Sequence, residues 1–210
     1  KRILRHLNQR SEMLSGISHD LRTPLTRIKL QLAFIKDKEI EKKLSDDVIE
    51  MEKMLNEYLQ FSSNRSNEKS ENFDISDLVL KTVSKYETKK IFFEKKSEIL
   101  FIGRKNLIKR SLSNFIDNAL KYSDKVVIDI KKSANNIIIN IDDNGIGIPE
   151  KERENVFKPF YKIDKSRGDS KSSVGLGMSI ASDMIQSHGG SIKLENSSLG
   201  GLRVKIFLPF

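Results

Sequence analysis

Residues 14–35 read LSGISHDLRTPLTRIKLQLAFI, and the spacing within that stretch decides the first half of the fold. Leu14, Leu21, Leu25, Ile28, Leu32 and Ile35 fall at alternating steps of four and three, with Ser18 filling the one gap, which makes a heptad seam on a helix. A second seam follows at Ile40, Leu44, Val48, Met51, Leu55 and Tyr58. Between the seams, Lys36-Asp37-Lys38-Glu39 has room only for a tight helix–helix turn, so two antiparallel helices are expected. One hairpin cannot cover both apolar stripes. Pairing of two chains into a dimeric four-helix bundle is the solution this pattern asks for.

Moving toward the C-terminus, residues 62–72 (SSNRSNEKSEN) contain no apolar side chain, the composition of a linker. We therefore place a helical dimerisation domain at 1–65, a linker at 66–72 and a second domain at 73–210. In that second domain the pattern changes to short strands alternating with helices. A strand is expected at 73–75, with Ser76 as N-cap of a helix reaching Tyr86. Strands follow at 90–94 and 99–102, then a helix over 104–121 and a hairpin of 126–131 with 136–142. A helix over 177–188 ends at Gly189-Gly190, and strands 191–195 and 203–208 close the sheet. The expected architecture is α+β, a mixed sheet covered by helices on one face.

Bulk composition narrows the functional classes. Apolar residues at 37% and charged residues at 32% describe a well-solvated globular chain. No stretch approaches the roughly 20 apolar residues of a membrane span, and no signal peptide is present. Cysteine is absent, which excludes disulfides and cysteine-ligated zinc. The net charge of +9 raises nucleic acid as a partner. Its lysines are scattered and often sit beside acids, however, and there is no tryptophan for base stacking. A polyanionic small ligand or an acidic partner protein suits the charge better. The chain opens on Lys1, as a piece of something longer would.

His19 lies one step off the seam, so it projects from the bundle toward solvent. Thr23, at i+4, shares its face and can orient a water beside a modified imidazole. Asp20 can reach the imidazole edge through a suitable rotamer and accept a proton. Pro24 removes the hydrogen bond to the Asp20 carbonyl, at about 3 kcal/mol in a peptide helix. The seam nonetheless continues through Ile35, so a functional reason outweighs a helix end.

Three further clusters carry chemistry. Asn114 and Asn118 sit four apart on the predicted helix, so both carboxamides leave one face while Leu112, Phe115, Ile116 and Ala119 pack inward. Amide oxygens suit Mg2+ and amide NH2 groups suit phosphate, although a solvated polar face explains the pair equally well. Asp142-Asp143-Asn144-Gly145-Ile146-Gly147 follows a strand. A carboxylate there can accept from an adenine amino group, with glycines admitting the base to the backbone; an ordinary turn reads the same way. Residues 150–173 form a long polar, basic loop broken by Val156-Phe157-Lys158-Pro159-Phe160-Tyr161. Lys162, Lys165 and Arg167 either reach phosphates from it or are solvated surface. Gly175-Leu176-Gly177 then opens a helix whose N–H groups suit phosphate. His188 reads as a helix C-terminal residue favoured by the dipole, and neither it nor His6 has a catalytic constellation.

Taken in order, these segments resemble the cytoplasmic core of two-component sensor histidine kinases. His19-Asp20-Leu21-Arg22-Thr23-Pro24-Leu25 is similar to the phosphoacceptor box, most like the osmosensor (EnvZ-type) subgroup of proteobacteria. Asn114–Tyr122 resembles the N-box, Asp143–Gly147 the Asp-x-Gly-x-Gly box, residues 156–161 the F-box and Gly175–Gly177 the second glycine box. The resemblance implies a second domain of the Bergerat (GHKL) ATP-binding sandwich type. It implies that ATP and Mg2+ are bound, with Asn118 holding the metal. By the same resemblance Asn114, Lys121 and Tyr122 would extend the phosphate and nucleotide contacts. Asp143, with Asp142 as its neighbouring competitor, would read adenine beside Gly145 and Gly147, and the backbone of Gly175, Leu176 and Gly177 would meet phosphate. A neutral His19 would attack the γ-phosphate through Nε2, with Asp20 as acid/base partner and Thr23 supporting the reverse, phosphatase reaction.

The implied partners are a second copy of the chain, through residues 1–65, and a response-regulator receiver domain whose aspartate takes the phosphoryl group. Nucleic acid is not implied. The family also implies a membrane-anchored full-length protein, of which this chain is the cytoplasmic portion at a bacterial inner membrane. One departure stands out: Ser172-Ser173-Val174 occupies positions where the family often carries glycines. The rival expectations are a GHKL ATPase that hydrolyses ATP to water, which has no use for the His19 hairpin, and a non-catalytic dimeric scaffold, which has no use for Asn118, Asp143 and the glycines.

Overall fold

The computed structural model of the protein describes residues 21, 23–63, 68–163 and 175–210. His19, Asp20, Lys165, Arg167 and residues 172–174 lie outside the described residues. What is described falls into two compact units, residues 21–63 in one and residues 68–163 with 175–210 in the other.

The first unit is the helical hairpin. α1 (residues 23–32) runs through Pro24, and α2 spans Lys38–Ser63. Asp37 starts α2: its Oδ1 accepts the N–H of Glu39 at 2.9 Å and of Ile40 at 3.1 Å, and Glu39 and Glu41 add acid to the first turn. The polar turn therefore caps the helix as well as spacing the seams. Leu32 and Val48 are buried, and Leu25, Ile35 and Leu55 are half-buried. The other seam positions Leu21, Ile28, Ile40, Leu44 and Met51 remain exposed, and Leu30, Phe34 and Ile49 join them from outside the seam.

The second unit is built on a five-stranded mixed sheet. Its strands are β2 (Ile91–Phe93), β4 (Val126–Lys132), β5 (Asn136–Asp143), β6 (Ser191–Asn196) and β7 (Leu202–Pro209). The order is β2-β4-β5-β7-β6, with β2 parallel to β4 and every other pair antiparallel. A separate two-stranded ribbon pairs β1 (Glu71–Asp74) with β3 (Leu100–Gly103). Among the described residues of this unit the α-helices are α3 (Ile75–Val83), α4 (Lys105–Tyr122) and α5 (Gly177–Gln186). Alternation along the strands supplies one apolar face: Ile137, Ile139 and Ile141 of β5 and Val204, Ile206 and Leu208 of β7 are buried. Against them pack Ile108, Leu112, Phe115, Ile116 and Ala119 of α4 and Ala181 and Ile185 of α5. This is the expected α+β sandwich, with the helices on one face of a mixed sheet. Its core positions α4 and α5 side by side.

Several boundaries differ from those the sequence suggests. Ser62 and Ser63 belong to α2, and Glu71 and Asn72 belong to β1. Glu71 and Asn72 give no apolar strand signal because both are exposed polar residues on a two-stranded ribbon. Asp74, not Ser76, is the N-cap of α3: its Oδ1 accepts from Ser76 N at 2.9 Å and from Ile99 N at 3.0 Å. A carboxylate serving two backbone donors outcompetes the nearby hydroxyl. Glu68, read as linker, takes the N–H of Asn106 at 2.7 Å and of Leu107 at 3.2 Å, satisfying two open donors at the start of α4.

His188 is also not a cation on a helix end. α5 stops at Gln186, and the imidazole bridges two elements: Nδ1 donates to Met184 O at 2.7 Å and Nε2 accepts from Arg104 N at 3.0 Å. Only the neutral ring can do both. Burial lowers its pKa, and the Arg104 charge acts in the same direction; the Met184 carbonyl and Glu68 oppose them.

Candidate nucleotide site

α4 presents the two asparagines as the spacing requires. Asn114 and Asn118 are both half-buried, and neither carboxamide hydrogen-bonds to another described residue. One turn on, Lys121 and Tyr122 are exposed, with the ammonium 5.2 Å from the Tyr122 ring centroid. Asp117 on the same helix is engaged otherwise, accepting from the Tyr86 hydroxyl at 2.8 Å. Burial first and that carboxylate second hold the Tyr86 phenol above its ordinary range.

The end of β5 supplies the carboxylate. Asp142 and Asp143 are both buried, yet alternation sends them to opposite faces of the sheet and into different employment. Asp142 is paired with Arg203, whose Nε lies 2.8 Å and 3.1 Å from its two oxygens, and it accepts from the Ser197 hydroxyl at 2.7 Å. Asp143 has no cationic partner among the described residues. Its Oδ1 accepts from Gly145 N at 2.8 Å and from Leu202 N at 3.0 Å, and no described residue donates to Oδ2. One oxygen is thus fixed by backbone and the other is left as an acceptor.

The glycines explain how these parts come together. A methyl group on Gly145 would stand 2.5 Å from the Tyr122 carbonyl and 3.1 Å from Asp143 Oδ1. Only glycine lets the chain leaving β5 press against the last turn of α4, bringing Asp143 beside Tyr122. Asn144 fastens the same junction, its Oδ1 accepting from Lys125 N at 2.8 Å and Asp124 N at 3.1 Å. Gly147 adopts φ of +67°, the left-handed region. Gly175 has φ of +78° and lies under Phe160 and Tyr161, where a methyl would meet the Tyr161 carbonyl at 2.9 Å. Phe160 N donates to Gly175 O at 3.0 Å, which ties these two positions together.

Leu176 is buried to 1% exposure, so only its backbone can meet a ligand. At Gly177 a methyl would meet nothing within 4 Å among the described residues, and Leu176, the N-cap of α5, makes no side-chain cap hydrogen bond. Backbone N–H groups at a helix start suit phosphate. Thr23 is exposed on α1, and Lys162 is half-buried after the aromatic segment.

Sequence reading missed Gly201. A methyl there would lie 2.2 Å from Asp143 Oδ1 and 2.4 Å from Gly145 N, closer than any other approach to the carboxylate. The Gly200-Gly201 pair before the last strand was the available signal, but it reads as a plain turn.

The comparisons with known proteins bear on both units. The family described as histidine kinase-, DNA gyrase B-, and HSP90-like ATPase matches residues 103–210, and the His kinase A (phospho-acceptor) domain matches residues 9–67. The chain belongs to the sensor histidine kinases. This kinase core is 32% identical over 211 residues to the sensor histidine kinase GtrS of Pseudomonas aeruginosa, matching 100% of this chain and 44% of that protein. It is 32% identical over 220 residues to the sensor histidine kinase CpxA of Escherichia coli, matching 98% of this chain and 48% of that one. The chain therefore spans about half the length of the curated relatives it matches. Among solved structures, the ATP binding domain of PrrB from Mycobacterium tuberculosis superposes with a TM-score of 0.56 at 29% identity, covering 67% of this chain and 97% of that one. None of these comparisons singles out the osmosensor subgroup. No described helix of the kinase core is long and apolar enough to cross a membrane.

Proposed function

We propose that residues 73–210 bind Mg-ATP and that the γ-phosphoryl group passes to His19 and then to an aspartate of a response-regulator receiver domain, which the kinase also dephosphorylates. The observation carrying this reading is Asp143: a buried carboxylate with one oxygen fixed by two backbone donors and the other unclaimed, suited to an exocyclic amine. Asn118 would hold Mg2+ through its amide oxygen, with Asn114 beside it. Mg2+ keeps most of its shell as water and phosphate oxygens and needs only one or two protein ligands. Accordingly, the described residues need no cluster of three or more acidic, His or Cys side chains, and they contain none.

The metal, when bound, neutralises charge on the transferring phosphates, and the chain's own groups do the positioning. Backbone N–H groups at Gly175–Gly177 and the Lys121 ammonium meet the phosphates, with Tyr122 beside the nucleotide. Nε2 of a neutral His19 is the nucleophile, Asp20 takes or gives its proton, and Thr23 orients water for the reverse reaction.

Residues 1–65 form the homodimer. The exposed Leu21, Ile28, Ile40, Leu44 and Met51 support this, since one hairpin leaves them in water. A membrane anchor outside this chain, at the inner face of a bacterial membrane, fits the name of sensor kinase carried by the relatives.

Incubation with Mg2+ and γ-labelled ATP tests the reading. Label should be acid-labile, base-stable and absent from His19→Gln, and Mg-ATP should raise the melting temperature of the wild type but not of Asp143→Ala. ATP consumed without protein-bound label would favour a GHKL hydrolase instead.

A further inference from the structure

Asp143 is aimed by a part of the chain nearly sixty residues away. The turn joining β6 to β7 folds back over the end of β5. Gly201 N donates to Asp143 O at 3.2 Å, and Leu202 N donates to Asp143 Oδ1 at 3.0 Å. Oδ1 can sit there only because residue 201 lacks a side chain: a methyl would lie 2.2 Å from it and 2.7 Å from the Asp143 carbonyl. Two of the atoms crowding that position, the Gly145 nitrogen and the Asp143 carbonyl oxygen, are backbone and cannot rotate aside.

The turn is itself held from the opposite face of the sheet. Ser197 N donates to Gly201 O at 2.9 Å, closing the turn, and the Ser197 hydroxyl donates to Asp142 Oδ1 at 2.7 Å. Arg203 Nε completes the strap on both Asp142 oxygens. Ser197 and Asp142 are both more than nine-tenths buried, so these bonds form out of competition with water. Adjacent aspartates thus divide the work. Asp142 is occupied by Ser197 and Arg203, and Asp143 Oδ1 is occupied by the backbone of Gly145 and of Leu202.

We propose that the β6–β7 turn is a positioning element for base recognition, in which Gly201, strapped through Ser197 to Asp142 and Arg203, sets the orientation of Asp143. This rests on the reading of Asp143 as the acceptor for the adenine amino group. In this proposal Gly201, Ser197, Asp142 and Arg203 act through Asp143 and not by contact with the nucleotide. Their signature is therefore base discrimination and not general loss of binding.

The test compares binding of Mg-ATP with Mg-inosine triphosphate, which carries an oxygen where adenine has its amino group. The chains are the wild type, Gly201→Ala, Ser197→Ala and Asp143→Ala, each with a melt in the absence of nucleotide. A carboxylate accepting a buried hydrogen bond gives a preference for ATP of about tenfold or more in the wild type. Gly201→Ala should bring that ratio close to unity, and Ser197→Ala, which removes one strap bond and no backbone contact, should reduce it by roughly half or more. Retention of the full preference by both folded turn variants, with Asp143→Ala losing it, would overturn the role of the turn alone. Were Gly201→Ala not to fold, an unchanged ratio in Ser197→Ala would overturn it equally. Absence of any preference in the wild type, with Asp143→Ala binding ATP as tightly, would overturn the reading of Asp143 and this inference with it.

Discussion

The hairpin and the nucleotide domain were built by the same chain to different degrees of completion. In the domain, thirteen positions of β5, β7, α4 and α5 named above close one core, and Ile108, Leu112, Phe115 and Ile116 are almost wholly buried. In the hairpin, Leu32 and Val48 are buried while Phe34 is 86% exposed and Leu30 65%. A heptad seam and an alternating strand are equally good apolar patterns, yet only the second finds its covering within one chain. The domain closes its core within one chain, whereas the hairpin leaves Leu30, Phe34 and most of its seam exposed, which is why the proposed homodimer is placed there.

The strongest way to break that contrast is to open the domain core. Phe115→Ala should destabilise residues 68–210 by about 3–5 kcal/mol, the usual range for a large-to-small core change, and abolish ATP-dependent stabilisation. Chemical denaturation followed by ATP binding would show it. Next in size are seam residues that one chain leaves exposed. Ile28→Glu or Leu44→Glu should weaken self-association by about 2–3 kcal/mol each, as expected when a buried apolar contact is lost and a charge faces the seam. Ile102→Glu, at a residue 73% exposed on the β1–β3 ribbon, should leave self-association unchanged. Sedimentation of all three would show it, and self-association indifferent to both Ile28 and Leu44 would contradict pairing through these seams.

A smaller effect is expected at the N-cap of α3. Asp74→Ala should cost about 1 kcal/mol from the lost cap, read from the melting curve. The His188 bridge adds a pH signature confined to the domain. Its folded pKa lies below the ordinary value of about 6.5, so its stabilising contribution is present above that pH and is lost as pH falls through the folded value. His188→Gln should flatten the decline in stability on the acid side of neutrality. The smallest effect belongs to the hairpin surface, where Lys29 and Glu52 pair at the exposed side of α1 and α2. Removing either charge should cost no more than about 0.5 kcal/mol.

Most of the architecture was legible because apolar spacing reports directly on burial. The strands from Ile91 to Pro209 and the helices α4 and α5 follow from the periodicity of their own residues. The boundaries at Asp74 and Glu68 were not legible, because each serves backbone donors far along the chain, at Ile99 and at Asn106. His188 was misread for the same reason: its second partner is Arg104, on another element. In the candidate site, Asn114, Asn118, Asp143 and Gly145 were legible through the order and spacing of the motifs that resemble the family, since each alone also fits a solvated helix face or an ordinary turn. Gly201 does not, since its need for hydrogen in place of a side chain is set by Asp143, and only the register of β5 with β7 brings the two together.

Three histidines, His6, His19 and His188, are present in this chain, and the proposed function puts phosphate on His19 alone. Peptide mapping under alkaline conditions after brief incubation with Mg-ATP is the most direct test. Phosphate is expected on the peptide containing His19 and on no other histidine. Phosphate on His6 or His188, or none on any histidine while ATP is bound and consumed, would contradict it.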